Sequence, residues 1–304
     1  MENKTKYILA IGALLLIAGG VWFLAFKGTK GETPTTINVN DTTQVNINLA
    51  DKDSLEKNGF YASENYVIAN TAFVRSSADK NASILDSVKF GQKLYTKNVL
   101  FDEEGGEGVV GDEALLANEK NNGYVAVYTS KPVTLSQKPI GFILESTLVE
   151  QYSFNDYKKY FSLPEFAKLD SKIKRTIIDE NYFEGNSYHL TENASRAPFV
   201  TAIGDFDGDN IKDFAVVLDN MEKEYSSLII FLTNKTTKEP YLAFRRTFQD
   251  FFKVKTFPKN SINPANGTKM TYDAVTMYGA GYADQLYYYN VETNKFENYS
   301  TSGE

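Results

Sequence analysis

Nine residues constrain this chain more than any others: Asp205-Phe206-Asp207-Gly208-Asp209-Asn210-Ile211-Lys212-Asp213. Four carboxylates stand at relative positions 1, 3, 5 and 9, and so many like charges on one short stretch repel each other unless a cation sits among them. Hard cations such as Ca²⁺ take about six to eight oxygen ligands, which closely spaced aspartates on a turn supply. Gly208 permits the tight turn. Apolar Phe199, Val200 and Ile203 precede the stretch and Phe214 to Leu218 follow it. The segment therefore predicts strand, acidic turn, strand. It is not an EF-hand, which needs glycine at position 6 and glutamate at position 12 between two helices. Asn210 and Val216 hold those positions here.

The spacing D-x-D-G-D-x-x-x-D resembles the calcium loop of FG-GAP/VCBS-type repeats. That resemblance implies Asp205, Asp207, Asp209 and Asp213 as metal ligands, the Ile211 carbonyl as a backbone ligand, and Ca²⁺ as cofactor. The chain departs from the family in carrying one copy, and a propeller needs at least about four blades. The competing reading is a solvated acidic turn that holds no ion tightly.

The second constraint lies near the amino terminus. Tyr7 to Phe26 is an uncharged apolar run flanked by Lys4, Lys6, Lys27 and Lys30. As a helix it spans roughly 30 Å, the thickness of a bilayer core. The expectation is a transmembrane helix at 7–26 acting as a signal anchor, with residues 1–6 cytoplasmic. The protein is then a single-pass membrane protein whose bulk is extracytoplasmic, in the periplasm or at the cell surface. A cleavable signal is the alternative, with Ala18 and Gly20 as small residues at a cleavage site.

Composition excludes several function classes. The chain has no cysteine, hence no disulfide, thiolate metal site, cysteine nucleophile or lipid-modified cysteine. Its single histidine, His189, lies in Gly-Asn-Ser-Tyr-His without a nucleophile-elbow pattern, and reads as a packed or surface residue. The net charge of −7 and the lack of a basic stripe argue against nucleic acid. Lys172-Ile173-Lys174-Arg175 reads as a solvated helix face.

Residues 27–63 are rich in Thr, Asn, Asp and Lys and predict a flexible stalk. Residues 64–151 predict short strands with turns. Phe73-Val74-Arg75-Ser76, Ile84-Leu85, Gly91 with Leu94, Gly123-Tyr124-Val125, and Ile140-Gly141-Phe142-Ile143 followed by Ser146-Thr147-Leu148 resemble a bacterial SH3-like (SH3b) domain. Tyr124 and Phe142 stand where that family has tryptophan, and an acidic insertion, 101–122, separates the middle strands. The resemblance implies a small, non-catalytic β-barrel that binds peptides or cell-wall material. Val67, Val74, Ile84, Leu85, Leu94, Val125 and Ile143 are its expected core.

Residues 152–304 form the second predicted module. Phe154 to Glu184 predicts helices, with Ser162 capping a start at Pro164 and Glu165. Six strands follow, over 198–206, 212–219, 226–233, 240–248, 272–279 and 285–291. This gives an α+β module whose antiparallel sheet is covered on one face. The expected fold class is thus mixed: transmembrane helix, SH3-like barrel, α+β module. The expected function is a membrane-anchored binding or scaffold protein for a peptide, a cell-wall component such as peptidoglycan, or an envelope protein, without catalysis, since no nucleophile sits beside an activating base. The alternatives are a carboxylate-based metal-dependent hydrolase and a structural subunit of an envelope complex.

Overall fold

The computed structural model describes residues 53–100 and 111–300, apart from Ala265, Ala280 and Tyr282. They belong to one compact unit, residues 48–304. Its first part contains β1 (Phe60–Val67), β2 (Thr71–Arg75), β3 (Ile84–Lys89), β4 (Lys93–Val99), β5 (Lys120–Asn121), β6 (Tyr124–Val127), β7 (Gly141–Leu144) and β8 (Leu148–Glu150). These form two antiparallel sheets, ordered β4-β1-β8 and β3-β2-β7-β6-β5. Tyr95 on β4 and Tyr128 just after β6 exchange backbone hydrogen bonds at 2.9 Å that link the two.

A small core fills the space between these sheets, and it includes Val67, Val74, Leu94, Val125 and Ile143. Each such side chain contributes roughly 1.5–3 kcal/mol by leaving water. Ile84 and Leu85 do not join it: they are 53% and 58% exposed. The reason is local. β3 is an edge strand, and a register shift after Val74 sets Arg75 opposite Ile84, so that Val88 alone on this strand is buried.

Three helices follow: α1 (Gln151–Phe161), α2 (Pro164–Ala167) and α3 (Ser171–Asp179). Phe154, Tyr157 and Phe161 give α1 a buried stripe at helical spacing. Ser162 does not cap α2; its hydroxyl donates to the Lys159 carbonyl at 2.8 Å, closing α1. Leu163 takes the cap position in an extended conformation, as a residue before proline must. Asp170 is the side-chain cap the sequence did not reveal, accepting from the Lys172 amide at 2.7 Å. Nor is 172–175 a solvated face. Lys174 is fully buried between Ile173 and Ile177, and its ammonium donates to the carbonyls of Ile68 (2.9 Å) and Ala167 (3.1 Å). With Tyr66 stacked on Phe154 at 4.7 Å, this lysine joins the first part of the unit to the helices.

The chain then forms a small hairpin, β9 (Tyr182–Phe183) and β10 (Asn186–Ser187). A four-stranded meander follows: β11 (Thr201–Gly204), β12 (Asp213–Asn220), β13 (Tyr225–Thr233) and β14 (Pro240–Gln249). A second meander comprises β15 (Lys253–Phe257), β16 (Ala274–Tyr278), β17 (Gln285–Asn290) and β18 (Lys295–Ser300). The larger core takes Phe154, Phe161, Ile173 and Ile177 from the helices and Val254, Met277 and Tyr287 from the second meander. Between them, β13 is buried at every residue from Ser226 to Thr233. A strand buried at consecutive positions has both faces covered, which corrects the expectation of a sheet covered on one side.

The observed class is therefore mostly antiparallel β with three α-helices among the described residues, rather than the mixed class with a transmembrane helix. No helix among those residues is long and apolar enough to cross a membrane. The longest, α1, has 11 residues, or about 16 Å of rise. Among the described residues this conflicts with the expectation of a signal-anchored, single-pass membrane protein, on which the extracytoplasmic placement of the bulk also rested. The apolar run 7–26 itself, the stalk up to residue 52 and residues 101–110 of the acidic insertion lie outside the described residues.

Candidate metal centre

The acidic turn lies between β11 and β12, two strands paired from Thr201↔Val216 to Gly204↔Asp213. Within it each aspartate uses one oxygen to hold the turn. Asp205 Oδ1 accepts from the Gly208 amide (2.9 Å), Asp207 Oδ1 from Asp209 (3.1 Å) and Asp209 Oδ1 from Ile211 (2.8 Å). Gly208 (φ +83°) and Asn210 (φ +66°) take left-handed backbone conformations. Glycine is required at 208 for a second reason: a Cβ there would lie 2.0 Å from the Tyr272 ring. Phe206 turns inward and is fully buried.

Asp205, Asp207 and Asp209 come together, each offering a carboxylate oxygen within 4.8 Å of the others. All three are half-buried. Asp209 Oδ2 is shielded from solvent and has no hydrogen-bond partner. A buried carboxylate oxygen without a donor is unfavourable unless a cation serves as its partner. Burial, and then the charges of Asp209 and Asp205, push the Asp207 carboxyl above its ordinary value. A cation held among the three reverses that field. This donor set, all hard oxygen, suits Ca²⁺ or Mg²⁺ rather than a softer metal.

Asp213 stands apart from that cluster. It is wholly buried, and both of its oxygens are taken: Oδ2 accepts from the Phe206 amide and Oδ1 from the Thr233 amide, each at 2.8 Å. Burial pushes its pKa up to about 7. This carboxylate ties the acidic turn to the far end of β13.

Sequence reasoning did not find Asp273, in the segment leading to β16. Its Oδ2 accepts from the Asp205 amide (3.0 Å) and its Oδ1 from the Lys259 amide (2.8 Å), while its own amide donates to the Asp205 carbonyl at 3.1 Å. Tyr272 and Asp273 together brace the acidic turn from the second meander. No local pattern marks them, because the contact spans more than sixty residues of sequence.

His189 is a packed residue. Its ring stacks on Tyr160 at 6.1 Å, and burial holds its pKa below the ordinary value. A second concave feature lies between β1, β4 and α3. It is a cleft of about 500 Å³ lined by residues that include Ser63, Asn65, Thr96, Lys97 and Arg175. The Lys97 side chain is buried there, paired with Glu119 at 3.1 Å and lying 4.8 Å from the Tyr128 ring centre.

Comparison of the chain with protein-family models, with curated proteins and with solved structures returns no match in any of the three.

Proposed function

We propose that this chain is a non-catalytic binding protein whose β-rich core is organised around a Ca²⁺-type cation at Asp205, Asp207 and Asp209. One observation carries the reading: three carboxylates converge within 4.8 Å, and one of their oxygens, Asp209 Oδ2, is buried without a donor. The cation completes the turn between β11 and β12 and, through Tyr272 and Asp273, fastens the first meander to the second. Asp213 acts beside the cluster as a backbone anchor. The SH3-like reading of 64–151 belongs to the same proposal, with the polar cleft beside β1 and β4 as the contact surface for a peptide or protein partner.

Terbium luminescence tests it. Tb³⁺ is a hard oxygen-seeking ion, and Tyr272 lies against the turn, so tyrosine excitation transfers to an ion bound there. Saturable Tb³⁺ emission displaced by Ca²⁺ is expected. Emission unchanged in Asp207→Asn/Asp209→Asn, or absent in the parent, contradicts the proposal.

A further inference from the structure

We infer that the cleft between the 266–272 segment and the outer face of β17 and β18 is a binding site for a neutral oligosaccharide. It encloses about 440 Å³, within the range of small-molecule sites. The strand register explains its lining. Tyr287 turns into the core and is 1% exposed, so its neighbour Tyr288 projects from the opposite face, where Glu297 pairs with it and Tyr299 with Leu286. The Tyr288 and Tyr299 rings stack at 4.7 Å, nearly parallel; the Tyr288 hydroxyl donates to the Glu297 carboxylate at 2.5 Å and accepts from the Tyr299 hydroxyl at 2.8 Å. The facing wall is built from Asn263, Asn266, Thr268, Thr271 and Tyr272.

These side chains share one property. Asn, Thr and Tyr carry donor and acceptor capacity without charge, which matches hydroxyl groups that both donate and accept. Tyrosine adds a broad apolar face with little conformational entropy to lose, suited to the C–H face of a pyranose ring. Charge argues against an anionic ligand. Lys269 is the one base among the described lining residues, against the acids Asp273 and Glu292. A phosphorylated or uronic-acid ligand would meet net repulsion there. The site shares Tyr272 and Asp273 with the braced acidic turn. The inference rests on the binding-protein reading, and its test does not depend on the cation.

Isothermal titration of the full chain with maltotetraose, cellotetraose and tetra-N-acetylchitotetraose tests it, with tetragalacturonate as the anionic counterpart. At least one neutral tetrasaccharide should saturate a single site. Its affinity should fall about tenfold or more in Tyr288→Phe/Tyr299→Phe, which keeps the ring stack and removes both hydroxyls. It should also fall in Thr268→Ala/Thr271→Ala, which alters two exposed positions of the facing wall. Binding should persist in Tyr61→Phe, remote from the cleft. No binding of any neutral probe, a preference for tetragalacturonate, or unchanged affinity in both variant pairs would overturn the inference. The terbium measurement is read separately, so failure of the saccharide titration with saturable Tb³⁺ emission removes this site alone.

Discussion

Two residues concentrate the physical constraints of the fold. Gly208 combines a left-handed backbone with the close approach of Tyr272, so Gly208→Ala is strained twice over. A loss of about 1–3 kcal/mol is expected in thermal or denaturant unfolding, and an unchanged midpoint would show that the turn does not hold this geometry. Lys174 is the other. Burial lowers its pKa to about 8, against an unfolded value near 10.4. Between those values the unfolded chain holds a proton that the folded chain has released. The Lys174 contribution to stability therefore rises with pH from about 8 to about 10, by up to roughly 3 kcal/mol at 1.36 kcal/mol per unit. The stability of the parent relative to Lys174→Met should increase across that window. A pH-independent difference would mean that the ammonium is charged and fully compensated by its two carbonyl partners.

At the scale of elements, the acidic turn separates into two functions. Asp205, Asp207 and Asp209 converge, whereas Asp213 serves the backbone amides of Phe206 and Thr233. Asp213→Ala leaves two buried N–H groups without acceptors, at about 1–3 kcal/mol each. That loss should appear equally in Ca²⁺ and in chelator, when urea unfolding is compared under both conditions. If it appears only with Ca²⁺, Asp213 acts as a ligand instead. Much of this region was legible in the sequence. The apolar residues flanking the aspartates, Phe199, Val200 and Ile203 before and Phe214 to Leu218 after, placed both strands, and the aspartate spacing placed the turn, because these signals are local. What escaped was set by distant contacts. Asp273 braces the turn from another sheet. Ile84 and Leu85 look like core residues but lie on an edge strand after a register shift. Lys174 looks solvent-facing until the first part of the unit covers it. Ser162 matched a capping pattern, yet Pro164 forced Leu163 to be extended and moved the helix start past it.

Across the described residues, Arg245 on β14 reaches Glu180 at the end of α3, while Phe244 and Phe248 on the alternate positions pack on Tyr287 and Phe296 of the second meander, and β12 and β13 are buried along most of their length. The acidic turn sits at the start of β12, where Tyr272 and Asp273 reach it from the second meander. On the proposed reading, a cation bound there would stabilise the folded chain by mass action, about 2.7 kcal/mol at a hundredfold excess over the dissociation constant. Removing charge from the turn also relieves repulsion in the ion-free state, so Asp207→Asn/Asp209→Asn is expected to keep the fold while losing the capacity to bind an ion. The cation site is tested most directly by the thermal midpoint of the parent and of this double variant, each in Ca²⁺ and in chelator. The predicted result is a rise in midpoint with Ca²⁺ in the parent that vanishes in the double variant. A parent midpoint indifferent to Ca²⁺, or a rise that survives in the double variant, would contradict it.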